Sequence, residues 1–140
     1  MKSPRYRALE FASPLMETAG CGGLQVGLHG ELGMVEEAAS VRQAILLLLS
    51  TAPGERVMRP RYGCNLRRLL FMQNDNTTAG LAIHTVRQAL MRWEPRIDIE
   101  RIDAGPNAGD PARLDIYVAY RLRQSQEKQQ LQYSINLAGA

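Results

Sequence analysis

The chain has 140 residues, of which 45% are hydrophobic and 22% charged, and its formal net charge at pH 7 is +3. A chain of this length and composition is typical of one globular domain with a single core, which excludes disordered and fibrous proteins. Its longest aliphatic run, residues 45–49, falls far short of the roughly 20 residues that cross a membrane, so we expect no membrane partner.

The first 35 residues differ from the rest of the chain because they are rich in glycine and show no sustained hydrophobic period. We therefore predict an N-terminal arm over residues 1–35 and a single α+β domain over residues 36–140. Glu10 interrupts the apolar residues that follow the basic start, so we read no secretion signal and expect synthesis in the cytoplasm. Cys21 and Cys64 stand apart without metal-binding spacing, so no metal, disulfide framework or cofactor is predicted.

A long helix is predicted from Glu36, where the hydrophobic pattern changes to helical spacing. The acidic residues at its start interact favourably with the helix dipole. Pro53 and Gly54 end the segment. Apolar residues cover nearly every side of this helix, namely Val41, Ala44, Ile45, Leu46, Leu47, Leu48 and Leu49. This pattern is typical of a central helix that several neighbours bury.

Two further helices are predicted before the last third of the chain. Asn65 is placed to cap a short helix that begins at Leu66, and residues 76–78 offer several capping side chains for a longer one. Pro95 pushes Glu94 out of helical geometry, so the longer helix is expected to end there. Its apolar stripe consists of Ala79, Ile83, Val86, Leu90 and Trp93.

The last third of the chain alternates between apolar and polar residues, which is typical of strands. Ile97 and Ile99 open a first strand, residues 114–122 form a second and residues 131–137 a third. The first strand slips phase at Ile102, so a bulge is predicted there. The expected fold class is α+β, with helices packed on one face of a C-terminal antiparallel β-meander.

No catalytic residue is predicted. The carboxylates that could pair as acid and base are Glu55, Glu94, Asp98 and Glu100, but their spacing indicates no cleft between two of them. The two histidines, His29 and His84, have no Ser or Cys partner at a catalytic spacing. The chain is therefore not expected to be an enzyme.

Nucleic-acid binding is the alternative function that the sequence leaves open. The arginines that could form a basic patch around Tyr62 are Arg56, Arg59, Arg61, Arg67 and Arg68. Such a patch offers phosphate contacts and one aromatic ring for stacking. A net charge of only +3 gives weak electrostatic attraction, and no RNP-like or helix-turn-helix signature is present, so no nucleic-acid partner is expected.

Three ordered motifs carry a resemblance to a known family. They are residues 51–66 (TAPGERVMRPRYGCNL), residues 69–71 (LLF) and residues 93–97 (WEPRI). Together with the helix and strand pattern, they resemble the baseplate wedge and sheath-initiator family of contractile injection machines, over about residues 41–137. That family includes the lysozyme-like wedge protein of contractile phage tails and counterparts in type VI secretion and extracellular injection systems. Met72 departs from the family, which often has an acid there.

The resemblance implies a structural scaffold without enzymatic activity. Such a protein would join the baseplate of a phage-tail-like particle or secretion machine, link wedge proteins to the first sheath ring and start sheath polymerisation by β-strand addition. It implies a wedge contact at Glu94, Pro95 and Arg96, with the sheath protein as a second partner and the inner tube or hub as a further candidate. Residues 53–63 could either brace the domain internally or contact a partner, and the resemblance leaves both roles open. The residues concerned are Gly54, Glu55, Arg56, Arg59, Pro60, Arg61, Tyr62 and Gly63.

The composition of the third predicted strand favours strand addition independently of the family resemblance. An exposed sheet edge is normally protected by lysine, proline or inward charge, and residues 131–137 contain none of these. The outward positions Gln132, Ser134 and Asn136 are neutral and are predicted to contact the sheath. The alternative is that the glycine-rich N-terminal arm covers this edge.

Overall fold

The computed structural model describes residues 7–9, 11–12, 23–24, 29–31 and 34–139. The chain divides into two compact units, residues 1–46 and 47–140. The domain boundary expected after residue 35 remains a prediction. In the described part of the chain, no helix combines the length and the apolar character needed to cross a membrane.

After four short strands near the N-terminus, the elements follow the order that the sequence indicates, with helices first and then a sheet. Their bounds are β1 Arg7–Leu9, β2 Phe11–Ala12, β3 Gly23–Leu24, β4 Met34–Glu36, α1 Glu37–Ser50, a 3-10 helix Leu66–Leu69, α2 Asn76–Trp93, β5 Ile97–Pro106, β6 Arg113–Leu122 and β7 Lys128–Asn136. Two helices and a C-terminal antiparallel sheet confirm the predicted α+β class.

In the described part of the first unit, β1 pairs with β4 and β2 pairs with β3, both antiparallel. The Gln43 side chain in α1 is buried, and its Nε2 donates to the Leu9 carbonyl oxygen at 2.7 Å, which ties the helix to β1. The apolar residues of α1 that are fully or almost fully buried are Val41, Ile45, Leu48 and Leu49. This confirms the helix predicted from the apolar run.

Helix α2 begins and ends close to the predicted residues, but its N-cap is different. The cap is Asp75, whose Oδ1 accepts from the Thr78 backbone N at 2.9 Å, rather than one of residues 76–78. At the other end, Glu94 follows the last helical residue, as Pro95 predicts. The face of α2 that is buried includes Ala79, Ala82, Val86, Ala89 and Leu90.

The short helix before α2 is a 3-10 helix, and Asn65 does not cap it through its side chain. The prediction of a side-chain cap at Asn65 is therefore wrong. Leu66 and Leu69 are buried while Arg67 and Arg68 are exposed, so this short helix has an apolar side and a basic side.

The C-terminal sheet has the strand order β5-β6-β7, and every pair is antiparallel. The register of β5 shifts between Ile99 and Arg101, which confirms the predicted bulge. Helix α2 packs against β5 and β6, and alternate residues of β6 form the centre of the core, namely Leu114, Ile116, Val118, Tyr120 and Leu122.

Two backbone hydrogen bonds fasten the end of β7. The Leu137 N donates to the Ala112 carbonyl oxygen at 2.8 Å, and the Phe71 N donates to the Leu137 carbonyl oxygen at 2.7 Å. Phe71 adopts a left-handed backbone with a φ of 66°, which is unusual for a residue with a side chain. The strand end is therefore held both by the sheet and by the segment that precedes α2.

Candidate functional site

The conspicuous stretch of residues 53–63, named here the arginine loop, is closed by its own backbone. The Gly54 N donates to the Pro60 carbonyl oxygen at 2.8 Å, and the Tyr62 N donates to the Arg59 carbonyl oxygen at 3.0 Å. Just beyond the loop, the Cys64 N donates to the Thr51 carbonyl oxygen at 2.9 Å. These bonds give the loop a defined path although it lies outside any helix or strand.

Gly63 is required where the loop returns to its start. Its φ is +137°, and a Cβ atom there would lie 2.6 Å from the Thr51 carbonyl oxygen and 2.8 Å from the Ala52 carbonyl carbon. Both atoms belong to the backbone, so they cannot move aside as a flexible side chain could. Only glycine allows the two ends of the loop to approach this closely.

The Glu55 carboxylate makes two contacts with other parts of the chain. Its Oε2 accepts from the Ala52 backbone N at 3.2 Å, and its Oε1 lies 2.6 Å from the Arg67 Nη2. The carboxylate therefore links the start of the loop to the 3-10 helix. Both contacts lie within the chain, and the two roles that the sequence leaves open for Glu55 stay predictions.

Two ring contacts attach the arginine loop to the end of α2. The Arg56 guanidinium lies 4.5 Å from the centre of the Tyr62 ring, and the Tyr62 and Trp93 ring centres are 5.3 Å apart at an interplanar angle of 65°. Burial raises the pKa of the Tyr62 hydroxyl above its usual value. The half-buried Tyr62 ring contacts Arg56 and Trp93, which disfavours its use as a stacking surface for a nucleic-acid base.

The tip of the arginine loop is almost fully exposed. Val57 is 94% exposed and Met58 is 91% exposed, and Arg59, Pro60 and Arg61 after them are exposed as well. Among the residues that the structure describes, no carboxylate forms an ion pair with Arg56, Arg59 or Arg61. The tip therefore combines two adjacent apolar side chains with uncompensated positive charge.

Glu94 and Arg96 form an ion pair at the corner between α2 and β5. The Arg96 Nε lies 2.6 Å from Glu94 Oε1, and the Arg96 Nη2 lies 2.8 Å from Glu94 Oε2. The Glu94 side chain is only 6% exposed and that of Arg96 is 27% exposed, whereas Pro95 between them is exposed. Both carboxylate oxygens are thus engaged within the chain, and the predicted partner contact of this corner stays a prediction.

Strand β7 forms one edge of the C-terminal sheet, and no strand of the described residues pairs with its outer side. The Leu137 N donates to the Ala112 carbonyl oxygen and the Leu122 N donates to the Glu127 carbonyl oxygen, so both pairs are hydrogen-bonded pairs of the β6–β7 ladder. Such pairs alternate along an antiparallel ladder. Odd-numbered residues of β7 therefore face β6, and the backbone groups of Gln130, Gln132 and Ser134 point away from it.

Only one of the three predicted sheath-contact side chains is exposed. Gln132 is exposed, whereas the Ser134 Oγ donates to Asp115 Oδ1 at 2.5 Å and the Asn136 Oδ1 accepts from the Ala138 N at 2.9 Å. Asp115 is buried in β6 and also accepts from the Asn107 Nδ2 at 2.8 Å. Sequence reasoning missed Asp115 because it occupies a polar position of the alternating pattern, where exposure is the usual outcome.

The carboxylates that could have served catalysis are each bound to a cation. Arg67 pairs with Glu55, Arg96 with Glu94, Arg121 and Arg123 with Asp98, and Lys128 with Glu100. Over the described ranges, no group of three or more His, Cys, Asp and Glu side chains could hold a metal ion. Burial raises the pKa of the Cys64 thiol to about 12, so this side chain is not an activated nucleophile.

Comparison with known proteins gives consistent results for the sequence and the fold. The family of baseplate wedge protein gp25 matches this chain over residues 35–127. Baseplate wedge protein gp25 of Enterobacteria phage T4 is 32% identical over 59 residues, which cover 42% of this chain and 45% of the length of the phage protein. A chain of the anti-feeding prophage baseplate, solved by cryo-EM, has the same fold, with a TM-score of 0.65 at 20% identity over 74% of this chain and 85% of its own.

A protein from Geobacter sulfurreducens that is named a tail lysozyme, solved as a crystal structure, is more similar in sequence to this chain than the anti-feeding prophage protein is. It is 36% identical, with a TM-score of 0.68, and the match covers 76% of this chain and 97% of the Geobacter chain. The chain belongs to the family of baseplate wedge protein gp25.

Proposed function

We propose that this protein is a structural component of the baseplate of a contractile injection machine, where it links wedge proteins to the first sheath ring. Membership of the baseplate wedge family supports the first part of this proposal. The observation that supports the link to the sheath is the outer edge of β7, with which no strand of the described residues pairs. Sheath polymerisation would begin when an arm of the sheath protein adds a strand there.

The two edges of the sheet differ in a way that favours β7. The edge of β5 is interrupted by the bulge between Ile99 and Arg101 and ends at Pro106, which has no backbone N–H. The Asn107 N donates to the Arg113 carbonyl oxygen, so the residue before it, Pro106, faces away from β6. The stretch of β7 from Gln129 to Asn136 has no bulge, no proline and no charged residue.

The proposed contact is small, so its binding free energy is sufficient only when several copies act together. Gln130, Gln132 and Ser134 each offer one N–H and one C=O, and each new hydrogen bond contributes about 1 kcal/mol net. Ordering the incoming arm costs about 1 kcal/mol or more for each residue, which offsets most of that gain. A single added strand would bind weakly, so stable sheath growth requires several copies arranged around a ring.

The wedge contact is proposed at the corner formed by Glu94, Pro95 and Arg96. The ion pair holds this corner in one conformation and leaves Pro95 exposed at its apex. A rigid exposed corner loses little conformational freedom on binding, which favours its use in an interface. The corner and the arginine loop are joined by the contact between Tyr62 and Trp93, so both belong to the same candidate surface.

The decisive experiment removes one outward N–H from β7. Gln132→Pro should fold normally and fail to start sheath growth, because the missing N–H belongs to the outer edge. Gln132→Ala is the matched control: it removes the side chain, keeps the N–H and should support sheath growth. Tyr133→Pro should instead lower the free energy of unfolding by about 3 kcal/mol or more, because its N–H faces β6.

Thermal unfolding and electron microscopy of sheaths grown on purified baseplates would measure both properties. Ala104→Pro provides a control on the opposite edge, since Ala104 also faces away from β6, and sheath growth should be unaffected. Normal sheath growth on a folded Gln132→Pro protein would exclude strand addition at β7. The N-terminal arm would then be the next candidate for the sheath contact.

A further inference from the structure

We infer that the tip of the arginine loop anchors the protein to a wedge protein by entering an apolar pocket bordered by carboxylates. The anchor consists of Val57 and Met58, flanked by Arg59 and Arg61. This inference rests on the proposed function and adds to it the chemistry of the wedge partner. It also moves the main contact from the Glu94–Arg96 corner to the neighbouring loop.

The exposure of the anchor requires an explanation. Val57 and Met58 are adjacent and more than nine-tenths exposed, and none of the other large apolar side chains in the described residues is as exposed as either of them. Single exposed apolar residues are ordinary, but two neighbours at the apex of a closed loop form a projecting apolar surface. Methionine adapts to irregular pockets, and a partner that buries both side chains would remove them from water.

The loop presents this anchor in a fixed conformation. The bond between Gly54 N and Pro60 O closes its neck, and Glu55 ties its start to Ala52 and Arg67. Pro60 restricts the backbone directly after the tip. A preorganised loop loses less conformational entropy on binding than a flexible one, so a small apolar tip can contribute useful affinity.

The charges around the tip indicate which side chains should surround the apolar pocket of the wedge protein. Arg56 is occupied by the Tyr62 ring, while Arg59 and Arg61 are exposed and have no carboxylate partner among the described residues. Guanidinium groups form strong two-point hydrogen bonds with carboxylates. The complementary surface therefore carries Asp or Glu side chains around an apolar centre.

A protein pocket fits this surface better than a nucleic acid does. Phosphate would satisfy Arg59 and Arg61, but a nucleic acid offers Val57 and Met58 no apolar pocket. The only aromatic ring of the loop, Tyr62, is packed against Arg56 and Trp93. Trp93 directly precedes the Glu94–Arg96 corner, so the anchor and the proposed wedge contact can be covered by the same partner.

The test measures binding of the full chain to the purified wedge proteins of the same machine, at low and at high salt. The double substitution Val57→Ser with Met58→Ser should weaken binding by about tenfold or more at both salt concentrations. Arg59→Gln with Arg61→Gln should weaken binding mainly at low salt, because salt screens exposed charges. All variants should melt like the wild type, since the changed side chains are exposed.

Two matched controls lie on the exposed side of α2. Met91, which is 72% exposed, is replaced by serine, and Arg87, which is exposed and has no ion pair among the described residues, is replaced by glutamine. Both controls should bind wedge proteins like the wild type. Equal loss of binding in the controls would show a general surface effect and overturn the inference.

The remaining outcomes separate this inference from the proposed function. If the wild type binds wedge proteins and the tip variants bind equally well, the anchor is refuted while the proposed function stands. If the wild type binds no wedge protein, the proposed wedge link fails, and the anchor fails with it. If the tip variants lose affinity only for a mixed-sequence oligonucleotide, the surface is a nucleic-acid site and the inference is wrong.

Discussion

Glu94 and Arg96 face each other across the exposed Pro95 and share two hydrogen bonds, with distances of 2.6 and 2.8 Å. The glutamate is one of the few buried charged residues in the described chain, and its charge is matched within the same turn. The pair therefore holds the path from α2 into β5. A binding assay on variants of this corner must consequently be accompanied by a measurement of stability.

Replacing Arg96 by alanine should lower the free energy of unfolding by about 3 kcal/mol, because it leaves a buried carboxylate without its cation. Chemical denaturation would measure the loss. The control is Arg123→Ala, which breaks the exposed pair with Asp98 and should cost less than about 1 kcal/mol. Equal costs for the two variants would mean that the buried pair contributes no more than a surface pair.

Gly63 and Gly54 offer a matched comparison within one loop. Both have positive φ values, but a Cβ at Gly63 would collide with the backbone of residues 51–53 whereas a Cβ at Gly54 would meet open space. Gly63→Ala should lower the free energy of unfolding by about 3 kcal/mol or more, from strain and overlap together. Gly54→Ala should cost only about 1 kcal/mol from backbone strain. Similar losses at the two positions would contradict the close approach at Gly63.

Glu55 should contribute more to the free energy of unfolding than its ion-pair partner, Arg67. Glu55→Ala removes both the bond to the Ala52 N and the pair with Arg67, and should lower the free energy of unfolding by about 1 kcal/mol. Arg67→Ala removes only an exposed ion pair and should stay within about 0.5 kcal/mol of the wild type. Glu55→Gln keeps an acceptor for Ala52 and should lie between them. A larger loss for Arg67→Ala than for Glu55→Ala would refute the brace.

Stability at low pH should depend on the cap of α2. The hydrogen bond from the Thr78 backbone N lowers the pKa of Asp75. The ionised cap is therefore fully stabilising above the ordinary carboxyl pKa of about 4, and its contribution is lost as the pH falls through the lower folded value. Asp75→Asn keeps an acceptor that does not titrate. The melting temperature of the wild type should fall relative to this variant between about pH 6 and about pH 2, and a constant difference would contradict the assignment.

Cys64 should be protected from thiol reagents in the folded protein. Its thiol is buried and its pKa is raised to about 12, so almost no thiolate exists at about pH 8. In a Cys21→Ser background, labelling should be slow in buffer and rapid in denaturant. Rapid labelling of the native protein would show that Cys64 is accessible.

Hydrophobic periodicity was enough to predict α1, α2 and the three long strands, because each has an apolar side that repeats at the helical or strand period. It also predicted the bulge near Ile102. Local capping was harder to predict: Asp75 caps α2 ahead of three other polar residues, and Asn65 caps nothing through its side chain. Several side chains of similar chemistry compete at such positions, and tertiary packing decides between them.

The site residues named from the sequence stay predictions, and their burial and contacts are less predictable than the secondary structure. The motifs brought Glu94, Arg96 and the arginine loop to attention, but burial of the Glu94 carboxylate depends on neighbours that are distant in sequence. The same holds for Asp115, which accepts hydrogen bonds from Ser134 in β7 and from Asn107 in the loop after β5. A polar residue in an alternating pattern carries no signal that distinguishes a solvated carboxylate from a hydrogen-bonded buried one.

The attachment of β7 also determines how the molecule bears mechanical load. The strand is paired with β6 along its whole length, and its end is fastened by the bonds of Leu137 to Ala112 and Phe71. A pull along the strand axis loads these hydrogen bonds together, in shear, whereas a pull away from the sheet would break them one after another. A partner strand added to β7 would run along that same axis, so tension in it would meet the sheet in its most resistant direction.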